Sequence, residues 1–468
     1  MRSGADRWAQ PENSSFILSN LAAIGQNRNQ SHKCANPSQK YFRIPGTDVR
    51  DSLLLVERER LEPAVSVPVA SAMRSSQCVD HIENVLMAVL ADAQQRDFLG
   101  FSKHDALNAG WLEMLAGSTR ITRLVAIQLV MRSPFHIRPL IGVRPARNAK
   151  GIALFAQAYL SCYRRTARGA DATQARELLD WLCSHSSRLD VPCWGYPYPW
   201  QDVGFFAPRD FPNRVVSSFV VHALVDGYET FGDRHYLKVA EQAVRFLLDA
   251  PKTLFDDKEH RCLSYVPAEE INWIVMDVSA LVGAVAARVA AHMDDPAMMA
   301  EAGRLIRYVA SKQTNYHAWF YSEPPSDSHI THDNYHTGFI LDAILQYGKV
   351  SGSREFERVY DQGLAYYRTA LFEADGAPRF MNDQRYPYDI HGAAQGIITF
   401  SLAHADADED MDMAHKILVW TIQHMYDPRT NWFYYQKRRG FRTRVRLLRW
   451  CQAWMARAIS CHLEHCKG

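Results

Sequence analysis

From Val79 onward the chain carries a helical rhythm of apolar positions. The segment VDHIENVLMAVLADAQQ sets Val79, Ile82, Val85, Leu86, Val89 and Leu90 on one stripe, as an amphipathic helix requires. Almost no stretch alternates with period two, so the pattern predicts an all-α protein. Residues 1–78 lack sustained periodicity and are rich in Ser, Asn, Gln and Pro, which predicts a mobile or irregular N-terminal extension.

A fixed period then organises the rest. Five long apolar helices are expected to begin near Gly151, Arg214, Asn272, Asp333 and His391, and a sixth near Thr443, spaced by 63, 58, 61, 58 and 52 residues. Each of the first five is followed by a more amphipathic partner, such as HYLKVAEQAVRFLLD or AMMAEAGRLIRYVAS. Turns with Gly-Asp or Asp-Asp-Pro punctuation (ETFGDRH, AHMDDPA) join the partners, as helix stops and N-caps do. Long aromatic connectors such as CWGYPYPWQDVGFFAPRDFPN join one pair to the next, so one end of the assembly is trimmed and the other elaborated. The nearly all-apolar helix of each pair belongs inside and its amphipathic partner outside. The Val79 helix can supply the sixth outer partner. The expectation is an (α/α)6 barrel over residues 79–468, with HDALNAGWLEMLA and ITRLVAIQLVMRS bracing or capping it. An open superhelical stack of helix pairs is the alternative.

The 468 residues are 47% apolar and 22% charged, which excludes a disordered chain, a collagen-like fibre and a small disulfide scaffold. The longest apolar run, Val278 to Ala287, is well short of the ~20 residues of a membrane span, so no transmembrane segment is expected. The N-terminus shows no basic-then-apolar leader, and the nine cysteines form no C-x-x-C pair; a cytoplasmic protein with structural thiols is expected. The net charge of +2 hides strong segregation. Met114 to Ala170 holds ten basic residues and no acidic one, and Trp432 to Trp450 holds seven more with none. Such blocks point to a polyanionic ligand or an anionic surface. No nucleic-acid motif accompanies them, so a nucleic-acid partner is not expected.

The segments WGYPYPWQD, HDNYHTGF and YPYDIHGAAQG, each opening an inner helix, resemble those of six-hairpin, glycosidase-like (α/α)6 proteins. That group takes in glycoside hydrolases, polysaccharide lyases and the helical domain of glucuronyl epimerases. The chain is also similar to cytosolic members linked to bacterial surface-polysaccharide synthesis. The resemblance covers about residues 80–468 and implies the barrel and a carbohydrate-active enzyme, but brings no catalytic pair onto particular residues here.

In such a barrel the long connectors end at inner-helix N-termini around one mouth, where anions are favoured. Asp333 and Asp389 hold equivalent places in adjacent repeats and are the candidate pair for glycosidic hydrolysis, one as acid and one as base or nucleophile. His336, three residues after Asp333, and His391 are further acid–base candidates, although each aspartate could equally cap its helix. Trp194, Tyr198, Trp200, Asp202 and Trp273 supply aromatic planes and a carboxylate for sugar rings, with Asn334, Tyr335, Arg385 and Tyr388 beside them. Arg442 and Arg444, read as opening the sixth inner helix, would bind carboxylates and so suggest an acidic, uronate-containing glycan. His329, His332 and His336 could hold zinc, but no H-E-x-x-H base or nearby cysteine supports them; no metal and no cofactor is expected. His104 and Asp105 in KHDAL read as a helix cap. Three functions compete: hydrolysis, β-elimination or C5-epimerisation with Tyr335, His336 or His391 as base and Arg385 or Asn334 neutralising the carboxylate, and a non-catalytic glycan-binding subunit. A terpenoid-type toroid is disfavoured because no D-x-D-D motif is present. Oligomeric state is left open.

Overall fold

Six nearly uniform apolar runs become six helices with their first turns gathered at one end. The computed structural model describes residues 76–466, apart from 118, 188–189, 203 and 404–407. The expected extension therefore lies outside the described residues as far as residue 75, and α1 (Ser76–Gln95) opens the described chain. Next come α2 (Gly110–Ala116) and α3 (Arg120–Arg132). The hairpins are α4 (Ala149–Thr166) with α5 (Gly169–Ser184), and α6 (Arg214–Phe231) with α7 (Arg234–Asp249). They continue with α8 (Met276–Met293) and α9 (Pro296–Ser311), α10 (Asn334–Ser351) and α11 (Glu357–Ala370), then α12 (Ile390–Leu402) and α13 (Asp408–Met425). A wide π-helical turn, Leu448–Ala453, leads into α14 (Trp454–His465).

The inner helices α4, α6, α8, α10, α12 and α14 each pack on the next, and α14 returns to α4, which closes the ring. Burial follows the pattern of the sequence: every residue from Ala149 to Cys162, from Met276 to Ala290 and from Ile390 to Ser401 is buried. The amphipathic partners stand outside, and α1 packs on α14 as the sixth of them. The architecture is an all-α (α/α)6 barrel with only short strands in its connectors. Helix α8 is long and apolar enough to cross a membrane by composition, but 83% of its window is buried in the barrel.

The polar punctuation acts as expected. Gly232 takes the left-handed conformation (φ 69°) that ends α6, and the next residue, Asp233, caps α7 by accepting from the His235 N–H. Asp294 (φ 51°) ends α8, Asp295 caps α9 through the Met298 N–H, and Pro296 fills the first helical position. Two inner helices begin later than their sequence pattern suggests. Ile274–Val275 pair with Ser322–Glu323 as strands, so α8 starts at Met276 rather than near Asn272. Phe441–Thr443 pair with Gln436–Arg438, which in turn pair with Tyr388–Asp389, so helix resumes only at Leu448 rather than near Thr443.

Candidate functional site

The elaborated end of the barrel encloses a bowl of about 650 Å³. Its floor comes from the first turns of the inner helices: Lys150 on α4, Val215 on α6, Asp277 on α8, Tyr335 and His336 on α10, and His391 on α12. Arg449 and Trp450 of the π-helical turn complete the circle. Connectors raise the walls with Tyr196, Trp200, Asp202, Tyr265, Trp273 and Tyr321, while Lys103, His104 and one side of α3 close the rim. Of the two helices expected to brace or cap the barrel, α3 stands at the mouth, whereas α2 packs on α3 and contributes nothing to the lining.

At the floor two imidazoles sit in opposite electrostatic settings. Asp333 precedes α10 but makes no side-chain cap; its Oδ2 lies 2.7 Å from His336 Nδ1. Burial opposes charging the His336 ring, yet the Asp333 and Asp277 carboxylates outweigh it and raise its pKa above the ordinary value. His391 goes the other way. Burial, reinforced by the charges of Lys150, Arg449 and His336, pushes it well below the ordinary value, so the ring is neutral near pH 7. Tyr335 stacks on it at 4.3 Å and 7°, and the rings of Trp450 (4.5 Å) and Trp454 (4.3 Å) enclose it. Neither His391 nitrogen has a hydrogen-bond partner among the described residues. Tyr335 also lies 4.2 Å from the His336 ring, so one tyrosine touches both imidazoles.

Other charges surround this pair. Burial and the neighbouring Asp333 charge raise the Asp277 carboxyl above its usual range despite His336 and Lys150, and its Oδ1 has no hydrogen-bond partner among the described residues. Lys150 rests 3.8 Å over the Phe219 ring; burial and Arg449 lower its pKa well below that of an ordinary lysine. Burial likewise lowers Lys103. Arg449 is fully enclosed and stands 5.2 Å from the Tyr196 ring.

Seven of the sequence candidates line the bowl: Trp200, Asp202, Trp273, Asp333, Tyr335, His336 and His391. Of the others, His329 also stands in the lining, and the rest lie elsewhere. Asp389 is behind the wall, where it caps α12: Oδ1 accepts from the His391 N–H (3.0 Å) and Trp450 Nε1 (2.8 Å), and Oδ2 accepts from Gln436 Nε2 (2.8 Å). The expected Asp333–Asp389 pair therefore does not share the cavity. Trp194 is core, donating through Nε1 to the Leu182 carbonyl at 3.0 Å, and Tyr198 is buried with its ring stacked on Tyr196 at 5.5 Å. Asn334 is tied into the wall by the Tyr367 hydroxyl and the Leu371 carbonyl, both at 2.9 Å. Tyr388 is buried outside the bowl and takes a 2.6 Å bond from Arg385, which faces Glu373 at 3.2 Å.

Arg442 and Arg444 do not open a helix. They sit in and just beyond a short strand whose alternation buries Thr443 and Val445 and turns the arginines outward over Tyr434, each at 5.5 Å. The three-histidine set is not brought together either. His332 engages the Trp319 carbonyl at 2.7 Å and the Tyr316 hydroxyl at 3.0 Å. Among the described residues no cluster suited to a metal ion occurs. His104, read as a cap, lines the bowl and stacks on Trp200 at 5.7 Å, while Asp105 forms a buried pair with Arg138 at 2.7 Å.

The sequence reading passed over Lys150, Asp277 and Arg449. Their signal was present: each is a charged residue at the head of an otherwise apolar, buried helical run, where burying an ionised group is costly unless it has work to do.

No family model matches the sequence, and no curated protein matches it. Its structure is similar to that of a cellobiose 2-epimerase from Bacillus thermoamylovorans B4167 (14% identity, TM-score 0.54, covering 68% of this chain and 88% of that one). It is similar to an unsaturated glucuronyl hydrolase specific for heparin (11% identity, TM-score 0.57, covering 84% and 97%). It also resembles a GH76 α-mannanase from Bacteroides thetaiotaomicron (14% identity, TM-score 0.51, covering 68% and 86%). At such identities the likeness speaks for architecture, and the architecture is that of the six-hairpin, glycosidase-like (α/α)6 barrels.

Proposed function

We propose that the chain is a carbohydrate-processing enzyme whose bowl moves a proton at a sugar carbon beside a carboxylate, as in C5-epimerisation or β-elimination of a uronate residue. The observation that carries this reading is the pair of imidazoles around Tyr335, one with its pKa pushed well below the ordinary value by burial and the other with its pKa raised by its carboxylate neighbours. Two titratable groups pushed in opposite directions at one site divide naturally into base and acid. His391 removes the C5 proton. The charge that then develops on the substrate carboxylate is met by the Arg449 guanidinium, with the Lys150 amine beside it as a hydrogen-bond donor. His336, steadied by Asp333, returns a proton to C5 from the other side, or gives it to the departing glycosidic oxygen. Trp200, Trp273 and Tyr196 offer ring faces to the pyranose C–H surfaces. The buried Arg449 guanidinium favours an acidic glycan.

A second reading, glycosidic hydrolysis, has one specific observation behind it. Burial raises the Asp277 carboxyl above its usual range and its Oδ1 has no hydrogen-bond partner among the described residues, which shifts it toward the role of general acid, with Asp333 or Asp202 as base. Incubation with uronate-containing glycans in D2O separates the readings. Proton transfer places deuterium at C5 or yields an unsaturated, ultraviolet-absorbing end, and His391→Asn lowers that rate by about 10²–10⁴-fold. A new reducing end without either signature favours hydrolysis. Unchanged glycan with measurable binding overturns both in favour of a non-catalytic subunit.

A further inference from the structure

Between Trp111 and Leu140 the described residues expose an unusual number of large apolar side chains. On α3, Ile121, Val125 and Leu129 recur every four residues and are 73%, 51% and 69% exposed, while Ala126, Ile127 and Val130 on the other side are buried. Helix α2 adds Met114 at 80% exposure, and the loop after α3 adds Leu140 at 86%. These pieces form one surface. Arg123 Nε on α3 donates to the Gly117 carbonyl after α2 at 3.0 Å, and Trp111 Nε1 donates to the Ile141 carbonyl at 2.7 Å. A surface helix apolar on both sides marks a contact, because isolated exposed apolar residues are ordinary but a contiguous patch is not.

The charge around the patch says what it contacts. No acidic residue occurs between Met114 and Ala170, and Arg120, Arg132 and Arg144 are exposed. The second basic block arrives on the same side: Arg132 of the first block and Arg438 of the second both line the bowl's rim. Arg446 also stands close enough to His136, in the loop after α3, to act with burial and Arg138 in lowering its pKa. Exposed apolar side chains with exposed arginines on the same segment, and Glu113 as the one exposed carboxylate of α2, α3 and the loop after it among the described residues, match the interfacial layer of an anionic bilayer: acyl chains for the apolar face and phosphates for bidentate guanidinium bonds.

We propose that α2, α3 and the loop 133–141 dock on an anionic lipid bilayer, with exposed arginines such as Arg120, Arg132 and Arg144 holding lipid phosphates around an inserted apolar face. A flanking side of α3 presents Leu124, Gln128 and Met131 to the bowl, so docking sets the mouth beside the headgroups. This attachment stands independently of the reaction in the bowl.

The test is flotation of the full chain with vesicles of phosphatidylcholine alone or of phosphatidylcholine and phosphatidylglycerol in equal parts. The expected result is at least about tenfold more protein carried by the anionic vesicles, falling as salt rises. Ile121→Ser with Leu129→Ser should abolish binding to the anionic vesicles, and Arg120→Glu with Arg144→Glu should weaken it; all four positions are exposed and lie outside the bowl lining. Circular dichroism of both variants should match the parent. Absence of flotation overturns the proposal, whether α3 proves to pair with a second copy (a dimer by sedimentation, lost in the serine variant) or to cross-link to residues 1–75. Equal binding to both vesicle types, or binding unchanged in the serine variant, overturns it as well.

Discussion

At the head of α10, Asp333 leaves the helix uncapped and turns its carboxylate to the His336 ring, whereas Asp389 at the head of α12 accepts three hydrogen bonds behind the wall. The difference predicts unequal substitutions. Asp333→Asn removes a charge that helps to raise the His336 pKa, so that pKa should fall, as NMR titration would register. Because the native His336 pKa is raised, its acid form extends to higher pH than that of an ordinary imidazole and is lost as pH rises through the raised pKa; the alkaline limb of activity should therefore move to lower pH in the variant. Elsewhere on α10, burial pushes the Asp342 carboxyl up to about 7. Its unfolded counterpart titrates near ~4, so the native state binds more protons between these values and stability falls as pH rises from about 4 to about 7, then levels. Asp342→Asn should remove this loss, raising the melting temperature more at about pH 8 than at about pH 4. The stabilisation at the higher pH is on the order of 1–3 kcal/mol.

Helices pack here through a few close approaches that no single helix reveals. A Cβ added at Gly396 on α12 would meet Phe372 Cζ at 2.4 Å, with Ile417 Cδ1 of α13 at 3.1 Å. Gly396→Ala should destabilise the barrel by about 1–3 kcal/mol, read by heat or denaturant unfolding, because the nearer neighbour is the rigid, buried Phe372 ring. The helices themselves were legible: apolar runs gave the inner ring and Gly-Asp or Asp-Asp-Pro gave the turns. Their starts were less so. Ile274–Val275 and Phe441–Thr443 are drawn into strands by partners in other connectors, and pairing of that kind leaves little local trace in segments of two or three residues. That delay is why Arg442 and Arg444 face outward rather than into the bowl.

Across the whole molecule, closure joins α1 to α14 and α14 to α4, so the ends of the described chain share one core. Leu86→Ala on α1 and Leu341→Ala on α10, at residues 1% and 0% exposed, should each cost about 2–5 kcal/mol and lower the midpoint of the same cooperative transition. Two separate transitions by calorimetry would contradict a closed ring. The sequence by itself determined the repeat, the inner and outer roles and the gathering of polar residues at one end, because those follow from periodicity and from the cost of burying or exposing each face. Which first-turn side chains enter the bowl was decided only in three dimensions. A helical residue's direction turns by about 100° per position, and the rotation of each helix is fixed by groups far along the chain. Trp450 and Gln436 hold Asp389 away from the cavity from 61 and 47 residues downstream, while Lys150, Asp277 and Arg449 are turned toward it.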